Sequence, residues 1–185
     1  MTKKAIVKSI DWWARGLAIA GLCFSVFTWW HGQEVQRKLE AAYFNSQLGP
    51  IESLSAGATP TARLGIKNTG KSRAKVDGAR ATLLAFDSEN RAIQRIGEIQ
   101  PLSDLPTRAE INEGGEFSST LRLGHVITAA EFTQIQSKNL SLFVVGDVEY
   151  WDAFNNRHVF TFCHRFEFEH SAWVGCSVGN ETHDL

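Results

Sequence analysis

The side chains able to do chemistry gather late in the chain. His158, His164 and His170 recur every six residues with Glu167 and Glu169 beside them, donor types that suit a divalent metal ion. The spacing argues against a shared ion. On a strand rising about 3.3 Å per residue, six residues separate side chains by about 20 Å. Cys163 next to His164 sets a nucleophile beside a base, but neighbours on a strand point to opposite faces. No nucleotide-binding signature is present, so these residues predict no catalytic site, no metal site and no cofactor.

Two groups remain. Cys163 and Cys176 are separated so that the tail can fold back and bridge them, or they can stay reduced. A bridge is favoured outside the cytoplasm and stabilises by about 3 kcal/mol in the chain-entropy model. Lys67, Lys71, Arg73, Lys75 and Arg80 form a basic cluster around one turn, suited to an anionic surface or an acidic partner. From residue 51 onward, thirteen Lys and Arg stand against seventeen Asp and Glu, which argues against a nucleic-acid partner.

The element that would position all of this lies near the N-terminus. Residues 10–31 predict a transmembrane helix: residues 17–30 carry no charge, and Trp12 and Trp13 at one end and Trp29 and Trp30 at the other are spaced like two aromatic belts. Arg15 snorkels at the edge. Lys3, Lys4, Lys8 and Arg15 outnumber the basic residues that closely follow the span, so the bias predicts a cytoplasmic tail over residues 1–9 and an extracytoplasmic, periplasmic C-terminal domain. Cys23 falls within the span. Ala14, Ala18, Gly21, Ser25, Thr28 and Gly32 lie on one heptad stripe that continues through Val35, Leu39 and Ala42. Such a stripe is a surface for packing against a second helix.

Residues 32–48 predict a helical stalk, with Glu34 and Lys38 as an i,i+4 pair. A linker over 49–61 begins with Gly49-Pro50. Residues 62–178 predict an all-β domain, and 179–185 a disordered tail. Strands are expected over 62–70, 76–87, 92–99, 116–124, 140–151 and 157–169, with a short helix from the capping box Thr128 to Glu131. Pairing residues 140–151 with 157–169 through a three-residue loop at 154–156 places Val144, Gly146, Val148 and Tyr150 opposite Phe166, His164, Phe162 and Phe160. A slip of one residue would mix apolar with charged on both faces. Asn156 suits the left-handed position in such a loop. These elements predict an immunoglobulin-like antiparallel β-sandwich.

Ile66-Lys67-Asn68-Thr69-Gly70-Lys71 ahead of Ala74, and Tyr150-x-Asp152-x-Phe154 ahead of His158 and Thr161-Phe162-Cys163, together with the N-terminal apolar segment, resemble a broad group of uncharacterised bacterial membrane-anchored proteins. The resemblance implies a small extracytoplasmic β-sandwich and no known reaction. The chain is therefore expected to be a single-pass inner-membrane interaction or scaffold protein. Its partners would be membrane lipid and either itself or another membrane protein.

Overall fold

The computed structural model describes residues 3–99, 101–102 and 109–185, with the side chains of residues 3–11, 14 and 38 set aside. The chain divides into Met1–Glu40 and Ala41–Leu185. The first unit is one helix, α1 (Lys3–Glu40), of 38 residues. It begins well inside the expected 1–9 tail.

Among the described residues no helix is long and apolar enough to cross a membrane. This overturns the transmembrane expectation and, with it, the single-pass, inner-membrane and periplasmic assignments. Length is not the deficit in α1. Its apolar stretch covers only residues 17–27 and is broken by Gly21 and Ser25, against the roughly 20 residues a span needs. Arg15, the tryptophan pairs and His31 dilute either side. Trp12, Trp13, Arg15, Trp29 and Trp30 are thus exposed residues of a helix and not anchors at two interfaces.

The helix also stops short of the expected stalk end at residue 48. Ala41 and Ala42 are buried, and β1 (Phe44–Glu52) follows at once with Phe44 and Ser46 inward and Asn45 and Gln47 outward. A two-residue burial period with a core to face outweighs good helix formers. Gly49 and Pro50 sit at a register shift between Leu48 and Ile51 in this edge strand, where a missing N–H is tolerated. What the sequence suggests as a linker is therefore strand over residues 49–52 and loop only over 53–60.

Nine strands are present among the described residues. β1, β2 (Thr61–Asn68) and β5 (Glu116–Arg122) make a small antiparallel sheet in the order β1-β2-β5. β3 (Ala74–Phe86), β4 (Ala109–Ile111), β6 (Ser141–Trp151), β7 (Arg157–Glu167) and β8 (Ala172–Gly175) make a larger antiparallel one in the order β4-β3-β6-β7-β8, and β9 (Glu181–Asp184) pairs with β7. This arrangement replaces the immunoglobulin-like sandwich expected; antiparallel sheets are what remains of that reading. The sheets share one core, in which Leu64 and Ile66 meet Leu83, Val144, Val148 and Phe162. On one side Trp173 of β8 donates its indole N–H to the Gly49 carbonyl at 3.0 Å.

β6 and β7 keep the predicted faces but not the predicted register. Val144, Gly146, Val148 and Tyr150 pair with His164, Phe162, Phe160 and His158, two residues from expectation, so every side chain stays on its face. The loop spans five residues, and Asn155 rather than Asn156 takes the left-handed conformation, at φ 66°. At Gly146 a Cβ would meet the Arg80 carbonyl and the Phe162 ring; glycine admits both.

Residues 92–99 are helical where a strand was expected. α2 (Glu89–Gln94) and a 3-10 turn (Ile96–Glu98) lie over the outer face of the large sheet. Ala92 packs with Phe143, Val145 and Cys163 in a second small core, joined by Ile93 and Ile96. Ala92 and Ile96 are four apart, a helical period within a short apolar run. α3 (Ala129–Gln136) carries the capping box, with the Thr128 side chain accepting from the Glu131 N–H and the Glu131 carboxylate accepting from the Thr128 N–H.

Candidate functional site

The two turn motifs in the sequence converge on the first residues of the second unit. In the first, Asn68 folds its own turn: its side-chain amide donates to the Ser72 and Ile111 carbonyls, and its oxygen accepts from Gly70 N–H. Thr69 N–H donates to the Tyr43 carbonyl at 2.7 Å. Gly70 is required there, because a Cβ would overlap the backbone of residues 41–43. In the second motif, the Tyr150 phenol donates to the Ala42 carbonyl at 3.1 Å. Together they clasp the chain where it enters β1.

Around Tyr150 lies a polar cluster, buried at Asp152 and open to solvent at Asp184. Asp152 is buried, and its Oδ1 accepts from the Phe154 and Asn156 N–H groups, each at 2.8 Å. Its Oδ2 accepts from the Asn156 side chain at 3.0 Å and lies 3.2 Å from His158 Nε2. Burial raises this carboxyl, but the donors from Asn156, His158 and Phe154 together outweigh it and hold it below the usual range. The other nitrogen of His158, Nδ1, lies 2.7 Å from Asp184 of β9. The His158 ring stacks on Tyr150 with centroids 5.1 Å apart. Burial pushes the Tyr150 phenol up to about 12, against a smaller lowering influence of Thr182.

Chemically the cluster binds and orients. The phenol is spent on a carbonyl, the Asp152 carboxylate on four contacts, and both imidazole nitrogens on carboxylates. Sequence reasoning reached Tyr150, Asp152 and His158 through the motif but missed Thr182 and Asp184, which it put in a disordered tail. Only the hydroxyl and carboxyl at alternate positions, 182 and 184, could have signalled a pair on one face of a strand.

The other histidines are apart from this cluster. His164 faces the core, its Nε2 2.7 Å from Ser46 Oγ of β1, a bond between the two sheets. His170 Nδ1 lies 3.2 Å from Glu167. Among the described residues no group of three or more His, Cys, Asp or Glu is placed to hold a metal ion.

The basic cluster is divided by the fold. Arg80 is turned into a bidentate pair with Asp147, at 2.9 and 2.5 Å, with Glu149 at 3.6 Å. Arg73 and Lys75 line an open cavity of about 330 Å³ with Glu110, Trp151 and Asn155. Lys67 stands in β2 opposite Glu116, and Lys71 is exposed on the turn. No single cationic surface results.

Cys163 and Cys176 form a disulfide with Cα atoms 5.4 Å apart. Asn180 fastens the same segment, accepting from Cys163 N–H and donating to the Cys163 and Cys176 carbonyls. Glu89 of α2 accepts from Ser177 N–H and Oγ, bonds that with Arg165 hold its carboxyl low against the opposing effect of burial.

On α1 the stripe of Ala18, Gly21, Ser25, Thr28, Gly32, Val35 and Leu39 is exposed. The Ala14 side chain lies outside the described residues, and Ala42 is not on the helix at all but in the core. Ser25 and Thr28 donate their hydroxyls to the Gly21 and Phe24 carbonyls, each at 2.9 Å, so the stripe presents carbon rather than free polar groups. A Cβ at Gly21 or Gly32 would meet nothing within 4 Å. Cys23 is a free, exposed thiol.

No family model matches the chain, and no curated protein matches it. Among solved structures, the crystal structure of the putative ApaA protein from Bordetella pertussis is 14% identical, with 68% of this chain and 94% of that one covered at a TM-score of 0.41. The X-ray structure of the structural-genomics target SoR45 is 12% identical, with 66% and 83% covered at a TM-score of 0.32. Likeness at this level carries no argument about fold or function.

Proposed function

We propose that this chain is a non-enzymatic interaction protein that pairs with a second copy of itself through α1. One observation supports this above the others. Between residues 12 and 30, ten large apolar side chains are each 57–72% exposed, including Trp12, Leu22, Phe24 and Trp29. A contiguous apolar surface beyond a few hundred Å² marks an interaction site, and a helix bearing one gains its stability by burying it. The heptad spacing of the small residues suits a second copy, because identical helices can then meet along one stripe with their axes close.

Oxidative cross-linking of single cysteines in the full chain tests this, with Cys23 replaced by Ser. Val35→Cys and Leu39→Cys, on the stripe, should give a band at twice the monomer mass. Gln36→Cys and Arg37→Cys, off it, should not. Equal bands from all four positions would contradict a defined seam, and no band from any would contradict pairing.

A further inference from the structure

The open cavity beside the loop that Asp152 folds has walls set by strand register. Glu110 of β4 stands opposite Lys75 of β3, and Lys75 stands opposite Trp151 of β6. Three neighbouring strands, each about 4.8 Å from the next, thus set an acid, a base and an indole in one row on one face. Arg73 joins them from just ahead of β3, and Asn155 from the loop. These walls are fixed before any ligand arrives. Trp151 donates its indole N–H to Asp77 at 2.6 Å, which sets the orientation of the ring. The loop is held by the Phe154 and Asn156 N–H groups that donate to Asp152. At about 330 Å³ the cavity lies near the lower end of the roughly 300–1,000 Å³ of small-molecule sites.

The charged groups on this face are unevenly committed. Arg80 is spent on Asp147, and Arg157 on Glu149. Among the described residues no carboxylate pairs with the Lys75 ammonium. Arg73 meets Glu110 only at 3.5 Å, with the two side chains 65% and 59% exposed. Such a pair is worth little, so Arg73 loses little by turning to a ligand. We propose that the cavity binds a small monocarboxylate with a flat apolar body, the carboxylate accepting from Lys75 and Arg73 and the body lying against Trp151.

Charge selects the monoanion. Arg73 and Lys75 against Glu110 leave one positive charge in the lining, which a carboxylate matches. A phosphate dianion would set its second charge against Glu110. Asp152 does not enter this balance, because its oxygens are spent on the loop and on His158. Size selects a free small molecule, since one ring with a short acid side chain suits a cavity this small and a folded-in polypeptide segment does not. The site is independent of pairing through α1, and either can fail alone.

The test titrates 3-phenylpropanoate into the isotope-labelled full chain and follows the indole N–H signals by NMR. The chain has six tryptophans, and the Trp151 signal is the one that Trp151→Phe removes. It should move saturably, while the Trp173 signal stays in place. Lys75→Met and Arg73→Met should each weaken binding about tenfold or more. Lys67→Met, on β2 and outside the cavity, should leave it unchanged. An unmoved Trp173 signal in each variant shows that the β domain has folded. The uncharged 3-phenylpropanamide should bind at least about tenfold more weakly than the acid. Phenyl phosphate should bind wild type more weakly than the carboxylate does, and should gain on it in Glu110→Gln. A Trp151 signal that does not move, an equal response to acid and amide, or full binding by Lys75→Met would overturn the proposal. So would a preference of wild type for phenyl phosphate. Tighter binding of a tetrapeptide ending in phenylalanine would assign the site to a chain terminus and overturn the small-molecule reading.

Discussion

His164 and His158 share one face of β7 and are used in opposite ways. His158 has a carboxylate at each nitrogen, whereas His164 has a single neutral hydroxyl, Ser46, and lies among core side chains. Burial pushes the His164 imidazole below its ordinary value. The unfolded chain therefore binds a proton as pH falls through about 6.5 while the folded chain resists. Stability contributed by the neutral ring is complete above that pH and declines below it, down to the depressed folded-state value. The thermal midpoint of wild type should accordingly fall between pH 7.5 and 5.5, and His164→Gln should show less of that fall; parallel profiles would contradict this role. At constant neutral pH, Ser46→Ala should cost about 1–3 kcal/mol in urea unfolding, because it leaves a buried ring nitrogen unpaired.

At the scale of elements, the clasp around residues 41–44 and the disulfide-held tail carry the remaining stability predictions. Gly70→Ala sets a methyl against backbone atoms that cannot rotate away, so a loss of about 1–3 kcal/mol is expected from its unfolding curve. Replacing Cys163 and Cys176 by Ser opens a separation of 13 residues. That should cost about 3 kcal/mol and should raise hydrogen exchange in α2 as well as β8, because Glu89 bonds Ser177. Unchanged exchange in α2 would contradict that coupling.

The same elements show what could be read from the chain. Which residues of β6 and β7 point inward was legible, because alternation sets faces. Their register was not: a shift of two preserves every face, and the choice was made by Asp152 folding a five-residue loop around its own carboxylate. The strand character of β1 was hidden because Phe44, Ser46 and Leu48 alternate only once there is a core to face, while the local composition favours helix. β9 was invisible for the related reason that it brings no apolar residue. The polar cluster was half legible, through the Tyr150 and Asp152 motif, and completed only by a tail 26 residues beyond His158.

For the whole molecule, the decisive feature is that a 38-residue helix with large apolar side chains in the open precedes a β domain whose own core is filled. The reading of α1 as a membrane span fails because its apolar run is short, yet the apolar surface remains and calls for cover. Packing two copies along the small-residue stripe removes part of it from water at roughly 25 cal/mol per Å². A bulky side chain on the stripe should prevent the approach without touching the β domain. The measurement that decides this is sedimentation equilibrium of the full chain beside its Gly21→Trp, Ser25→Trp variant. The account predicts twice the chain's 20.6 kDa for wild type and a shift toward the single-chain mass for the variant. A wild-type mass of one chain at every concentration, or a variant that pairs as tightly as wild type, would contradict it.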